Sequence, residues 1–225
     1  ASRRRGIRMH LTLQEGDAVE ACIARVEERT GVEVVTAVVG RCDGYSDIVW
    51  KAFALGIAAA ALVVVALDVV RPDWASELST WFNVVPILAA GAVSALLAIA
   101  VPEYARLLLN RVRAAGEVRQ FAQAMFLERQ LFRTRSRNGV LVLASLFERH
   151  VEIVADIGFD GRVDSAQWRS VVDTMTPALR AGRPADAFLH ALERIEAMLA
   201  DNGFARDPSG GDDLSNRPIE TQGER

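Results

Sequence analysis

Cysteine is nearly absent from this chain: Cys22 and Cys42 are the only two, too few for a disulfide framework, and neither stands in a Cys/His spacing that would hold zinc. Histidine is also scarce, with three residues in 225. No Ser–His–Asp order, phosphate-cradling glycine loop or dinucleotide fingerprint occurs. Excess positive charge is missing too, since the formal net charge of −3 argues against a general nucleic-acid binder. The basic start ASRRRGIRMH is followed by LTLQEGDAVE rather than by an apolar core, so no cleavable export signal is expected.

What is present is apolar length. The hydrophobic share of 51% is concentrated between Ala52 and Val101. No residue from Ala52 to Leu67 is charged or strongly polar, and the run resumes after Asp68 as far as Val70. That uninterrupted part rises roughly 24 Å as a helix, and with Val69 and Val70 approaches a bilayer core. A second run, WFNVVPILAAGAVSALLAIAV, extends from Trp81 to Val101. Two spans over 50–70 and 81–101 are therefore predicted, in a hairpin occupying 48–102, with Trp50, Trp74 and Trp81 at the interfaces. A buried hairpin in a soluble core is the competing reading, but the remaining chain is too small to wrap two such helices. The connection RPDWASELST carries one arginine against Asp73 and Glu77, whereas Arg41, Lys51, Arg106, Arg111 and Arg113 flank the spans. Positive charge stays inside, so both flanks are expected on the cytoplasmic face of an inner membrane. Gly56, Ala60, Gly91 and Ala95 would permit close helix packing, within the hairpin or with a partner.

The flanking segments read as one soluble domain, over 11–47 and 103–205. Thr12 and Glu15 have capping-box spacing, and Val19, Cys22, Ile23 and Val26 recur on one helical face; Cys22 is thus a core residue. GVEVVTAVVG reads as a strand. Helical character is expected to run on from Glu103 to about Phe132. GVLVLASL, from Gly139 to Leu146, is apolar on both faces as a central strand requires, FERH turns the chain, and VEIVADIG follows as a strand closer to an edge. Trp168, Val171, Val172, Met175 and Leu179 make one helical stripe, and Phe188, Leu192, Ile195 and Leu199 another. A basic tail over 1–10 and a disordered tail over 206–225 complete the chain. Neither half makes a stable sheet alone, so the halves share one, and two spans return the chain to its starting side. The crossover makes the first two strands parallel and the third antiparallel to the second.

The stretches NGVLVLASLFERHVEIVADIGF and RAGRPADAFLHALERIEAMLA, with RTGVEVVTAVVGRCDGY upstream and LSNRPIE near the end, resemble the TPM-domain family. The match is to a bacterial branch with two membrane spans inside the domain. The resemblance implies an α/β (α+β) TPM-like domain: a small mixed sheet flanked by helices, interrupted by a two-helix transmembrane hairpin. Its functional implications are divided, with a plant relative regarded as an acid phosphatase and others linked to photosystem repair or receptor assembly. Phe132 and Asn138-Gly139 stand where the branch is expected to carry His and then Thr-Gly, which counts against activity.

Chemistry, if present, is expected where the strands end. With a turn at Phe147–His150, Leu146 pairs with Val151, which sets Leu141 opposite Asp156 and Arg137 opposite Asp160. Arg135, Arg137, Asn138, Asp156, Asp160 and Asp164 would gather there. Asp156, Asp160 and Asp164 could hold a divalent cation such as Mg²⁺ or Ca²⁺, with Arg137 stabilising charge on a phosphoryl group. The competing account is an Arg–Asp surface network with Asp164 or Ser165 capping the next helix. A second acidic group, Asp43 and Asp47 with Glu148, belongs to the opposite end of the sheet. The series Arg106, Arg111, Arg113, Arg119, Arg129, Arg133, Arg135 and Arg137 reads as contact with anionic headgroups or as a solvated helix face. No nucleic-acid partner is expected. The favoured expectation is an interaction or assembly factor for a membrane complex, with the bilayer and a membrane-protein partner or a second copy as partners. The alternative is a divalent-metal-dependent phosphatase acting on phosphomonoesters through Asp156, Asp160 and Arg137.

Overall fold

The computed structural model describes residues 11–70, 80–205 and 216–223, with the backbone alone at 80–83. The basic tail over 1–10, the connection over 71–79 with its Trp74, and 206–215 lie outside the described residues. In chain order the elements are α1 (Leu13–Thr30), β1 (Glu33–Arg41), α2 (Ser46–Val70), α3 (Thr80–Ala100), α4 (Pro102–Leu107) and α5 (Arg111–Glu128). A 3-10 turn over Leu131–Arg133, β2 (Gly139–Ser145), β3 (His150–Ala155) and a second 3-10 turn over Ile157–Phe159 follow, and then α6 (Ser165–Arg180), α7 (Pro184–Asp201) and β4 (Ile219–Gly223). The chain divides into two compact units, one of Ala1–Asp43 with Val112–Arg225, the other of Gly44–Arg111. The second unit thus takes in 44–47 and 103–111 as well as the apolar insert.

In the first unit a four-stranded sheet has the order β3-β2-β1-β4. β1 runs parallel to β2 and to β4, and β3 is antiparallel to β2. Every residue of β2 is buried, because side chains alternate between two covered faces. Val140, Val142 and Ala144 pack with α1, α6 and α7, whose buried members include Ile23, Met175, Phe188 and Leu192. Leu141 and Leu143 face the other way, against Val118, Ala122, Met125 and Phe126 of α5. α1 starts where its capping box requires: Thr12 Oγ1 accepts from Glu15 N at 3.2 Å and Glu15 Oε2 from Thr12 N at 2.7 Å. It stops at Gly31, whose φ of +67° suits a residue without Cβ.

Three expectations are corrected. The helix expected from Glu103 to about Phe132 is broken into α4 and α5, with a turn at Leu108 and a non-helical link at Leu109 and Asn110. The tail expected to stay unordered over 206–225 supplies β4 at 219–223, because β1 is too apolar to leave one edge open. The strand register is displaced by two residues: Ser145 pairs with His150 and Leu141 with Val154 rather than with Asp156. Arg149 adopts a φ of +52° in the connecting turn, which therefore spans Leu146–Arg149 and leaves His150 as the first residue of β3. A displacement of two keeps each side chain on its face, so the core is unaffected.

In the second unit, α2 is the one helix among the described residues long and apolar enough to cross a membrane. The described apolar stretch of α3, Val84–Ala100, is shorter. The two helices pack closely where Gly56 meets Gly91: a Cβ on Gly56 would come within 2.7 Å of the Ala90 carbonyl oxygen and of Ser94 Cβ. Ser94 Oγ donates to the Ala52 carbonyl at 2.6 Å and lies 2.7 Å from the Tyr104 hydroxyl. With the serine proton committed to Ala52, Tyr104 is the donor of that second bond.

Thr36 on β1 is 1% exposed, and its hydroxyl has no hydrogen-bond partner among the described residues. Replacing it by an apolar group of the same shape removes a desolvated hydroxyl without leaving a partner stranded. Thr36→Val is therefore expected to leave stability unchanged or to raise it by up to about 1 kcal/mol in urea unfolding. A loss of that size would mean that the hydroxyl is bonded.

Candidate functional site

β2 begins and β3 ends at the same end of the sheet, which brings the residues just before Gly139 beside those just after Ala155. The Asp156 N–H donates to the Gly139 carbonyl at 3.0 Å, and the Gly158 N–H to the Arg137 carbonyl at 2.9 Å. Arg137 has a φ of +51°, a conformation disfavoured for a side-chain-bearing residue. Glycine at 158 permits the approach, since a Cβ there would overlap the Arg137 carbonyl oxygen. The same end is tied to the C-cap of α1 by Asn138, whose amide donates to the Gly31 carbonyl while its N–H donates to Thr134 Oγ1 at 3.0 Å.

Within this frame Arg137 and Asp156 meet directly. Arg137 Nε donates to Asp156 Oδ2 at 2.7 Å and Nη2 to Oδ1 at 2.9 Å, and the Ile157 N–H adds a third bond to Oδ1 at 2.8 Å. The carboxylate is 4% exposed and the arginine side chain 47%, so the pair presents its cationic side to water. Phe132 lies under the guanidinium, 5.8 Å from carbon to ring centroid. Burial pushes the Asp156 carboxyl up, but the Arg137 hydrogen bonds, the Ile157 N–H and the arginine's charge outweigh it and hold the group below the usual carboxylate value. A carboxylate so engaged is a weak proton acceptor at neutral pH.

The other expected members do not join the pair. Asp160 is exposed and ends the 3-10 turn, its N–H bonded to the Ile157 carbonyl at 3.0 Å. Asp164 is the N-cap of α6: Oδ1 accepts from Gln167 N at 2.7 Å, and Gln167 Oε1 accepts from Asp164 N at 2.9 Å. Arg135 is exposed. Among the described residues no group of three or more His, Cys, Asp or Glu side chains is arranged to hold a metal ion. Arg137 was expected opposite Asp160; in the observed register it lies opposite Gly158, which is why it reaches Asp156 instead.

The opposite end of the sheet, where parallel β1 and β2 finish, is equally closed. Glu148 accepts from the Cys42 N–H at 2.9 Å through Oε1 and from the Ser145 hydroxyl through Oε2. Asp43 pairs with Arg113 at 3.1 Å, and Asp47, in the other unit, pairs with Lys51 at 2.7 Å. Burial, then the Glu148 charge, raises the Cys42 thiol to about 12, with the Ser145 hydrogen bond opposing and Glu117 adding a smaller upward push. Ser145 and Thr134 were not singled out from the sequence. Nothing in their local spacing marks them, because their partners are brought by β-pairing and by turns.

Of the interface residues, Trp50 is 72% exposed and meets Phe53 edge-on at 6.2 Å. The side chain of Trp81 is not among those described. Arg111 opens α5 and is exposed, whereas Arg106 lies 3.8 Å from Glu103 and Arg113 is shared by Asp43 and Glu117. Arg119 likewise approaches Glu152, at 3.9 Å.

The continuous run from α4 to α7, with the β2–β3 hairpin at its centre, covers the segment in which a family model is found. Residues 103–198 match the TPM domain. The chain is also similar to a solved structure, the NMR structure of BA42 protein from the psychrophilic bacterium Bizionia argentinensis. There the TM-score is 0.56 at 15% identity, over 96% of this chain and 98% of that one. At that identity the likeness is one of fold, a mixed α/β sheet flanked by helices. No curated protein matches. The TPM-matching segment holds Arg137, Asp156, Asp160 and Asp164, but not α1, β1 or β4.

Two measurements follow from the charges at the sheet ends. Asp156 has a folded pKa below its ordinary value of 3.8. Its contribution to stability is therefore complete above that value and lost as pH falls through the lower folded one. The wild type should lose more stability on acidification through this window than Asp156→Asn, which starts less stable at neutral pH; parallel pH profiles would show that the pair is not coupled to folding. Cys42 should react with an aromatic disulfide reagent at pH 8 far more slowly than a free thiol, and at the ordinary rate once the chain is unfolded. Rapid labelling of Cys42 in the native protein would contradict its burial.

Proposed function

We propose that this chain is a membrane-anchored TPM-like protein in which α2 and α3 form a two-span hairpin and the α/β unit acts as an interaction or assembly module for a membrane complex. The observation that carries the anchor is the exposure of apolar side chains on both helices: Leu62 70%, Val65 59% and Val69 76% on α2, with Val93 55%, Leu96 63% and Ile99 67% on α3. Apolar surface of this extent is unfavourable in water and is solvated by lipid chains. The 25 residues of α2 rise about 37 Å, enough to cross a hydrocarbon core of about 30 Å with some tilt. The Gly56–Gly91 contact supports a hairpin, because small residues let backbones approach where no hydrophobic force drives association. Arginine-rich flanks favour an inner-membrane location with the α/β unit on the cytoplasmic side.

A binding role for that unit is supported by the state of its charged groups. Asp156 is occupied by Arg137, Asp164 by a helix N-terminus and Glu148 by Cys42 and Ser145. A divalent cation fits poorly, since the three carboxylates of the expected set are not grouped. The phosphatase reading keeps one supporting observation, the meeting of Arg137 with Asp156. Its guanidinium is accessible to an anion, and releasing Asp156 would free a carboxylate beside it.

The test uses the protein in membranes. It should stay with the membrane pellet through an alkaline carbonate wash, and in nanodiscs it should hydrolyse a generic phosphomonoester no faster than empty nanodiscs, with Mg²⁺, Mn²⁺, Ca²⁺ or EDTA. Release into the wash would remove the anchor. Metal-dependent turnover lost in both Asp156→Asn and Asp160→Asn would replace the binding role with the phosphatase.

A further inference from the structure

At one end of the apolar helix pair a short segment folds back and leaves leucine facing outward. Ser94 bonds the Ala52 carbonyl and Gly91 lies against Gly56, so α2 and α3 run antiparallel and the start of α2 lies beside the end of α3. Pro102 ends α3 there, with Val101 before it extended at a φ of −121°. Tyr104 then reaches back, its hydroxyl 2.7 Å from the Ser94 Oγ that serves Ala52. Ala52 opens the uncharged run of α2, so this bond holds α4 at the level where that helix passes from charged to apolar. Leu107, one turn beyond Tyr104, is 81% exposed, and Leu108 and Leu109 after it are half-buried. Trp50, two residues before Ala52, and Ile99, near the end of α3, are exposed as well. Charge is nearly balanced here. Asp47, Lys51, Glu103, Arg106 and Arg111 are three basic groups against two acidic ones, with Lys51 2.7 Å from Asp47 and Arg106 3.8 Å from Glu103.

We infer that α4 and the turn over Leu107–Leu109 form an interfacial foot of the hairpin, seated in the boundary between acyl chains and headgroups by Leu107 and Trp50 and indifferent to anionic lipid. This inference rests on the reading of α2 and α3 as a membrane hairpin. The lipid boundary is the occupant that fits, because the leucine surface continues the apolar surface of the two helices and an indole is at home at that depth. One net positive charge falls well short of the about four to eight clustered basic residues that recruit anionic headgroups. The foot also supplies something that helix length does not. α2 has 25 residues and rises about 37 Å against a hydrocarbon core of about 30 Å, so its length leaves depth and tilt open. Anchors in the interface set them.

The test uses the full chain in nanodiscs of phosphatidylcholine, with and without phosphatidylglycerol. A nitroxide is attached at Leu107→Cys, at Trp50→Cys as a second reporter of the foot, or at Leu62→Cys within the span. Collisions with oxygen, which enters lipid, and with a water-soluble nickel chelate give the depth of each label. The three sites are exposed, so the substitutions remove little packing, and Cys22 and Cys42 stay in place because both are buried. Unsubstituted protein is the labelling blank. The labels at 107 and 50 should lie about 5–10 Å inside the headgroup boundary, equally in both lipids, and the label at 62 deeper. Labels at 107 and 50 as open to the chelate as free nitroxide in buffer, beside a protected label at 62, would overturn the foot and leave the hairpin standing. Chelate contact at all three sites would remove the membrane reading and the foot with it. A label at 107 reached by neither probe would mean that protein covers the leucines, and depth gained only with phosphatidylglycerol would mean that charge seats the segment; either result overturns the inference.

Discussion

The structure of the first unit depends on the pairing of β1. A nine-residue strand whose side chains are buried along most of its length must satisfy its backbone on both edges while keeping both faces out of water. The chain does this with segments distant in sequence: β2 begins about a hundred positions later, and β4 almost two hundred. α1 and α7 then close one face and α5 the other. Closing such long loops is entropically costly but grows slowly with length, which is why an insert the size of the second unit can be tolerated between two paired strands.

The charged groups follow from the same pairing. Strand ends carry backbone donors and acceptors that the ladder does not use, and in this chain carboxylates take many of them. Glu27 takes the Val34 N–H, Glu148 the Cys42 N–H, and Asp156 the Ile157 N–H. Asp156 and Glu148 belong to the two acidic groups that the sequence suggests as candidate sites. In the fold they secure termini and turns, and Arg137 balances the most buried of them. The left-handed conformation of Arg137 has counterparts at Gln130 and Arg149, so backbone strain does not single out this corner as a reaction centre.

In the second unit the controlling contact is between glycines. Gly56 and Gly91 bring two helices close enough for Ser94 to reach a carbonyl of the facing helix. That satisfies a hydroxyl which neither water nor lipid would serve at such a contact. Apolar residues are then left to face outward, the reverse of a soluble helix pair, whose apolar stripes face each other.

Much of this architecture was legible from local pattern. The capping box of α1, the both-faces-apolar character of β2, the stripes of α6 and α7 and the greasy insert all reflect periodicity or propensity acting over a few turns. From these the parallel pairing of β1 and β2 follows by connection length alone. What local pattern could not decide was where strands stop and which polar residues meet. The hairpin register depended on a turn closed by Arg149 in a left-handed conformation, and a displacement of two residues sent Arg137 to Asp156 instead of Asp160. Nor could the sequence forecast β4, because IETQG has little apolar surface of its own and becomes a strand only when β1 offers an edge. The sequence by itself determined α1, α6, α7, the central strand and the apolar insert, since each is specified by the residues within it. Only the tertiary structure decided the fourth strand, the register and the charge pairs, since each depends on a partner brought from elsewhere in the chain.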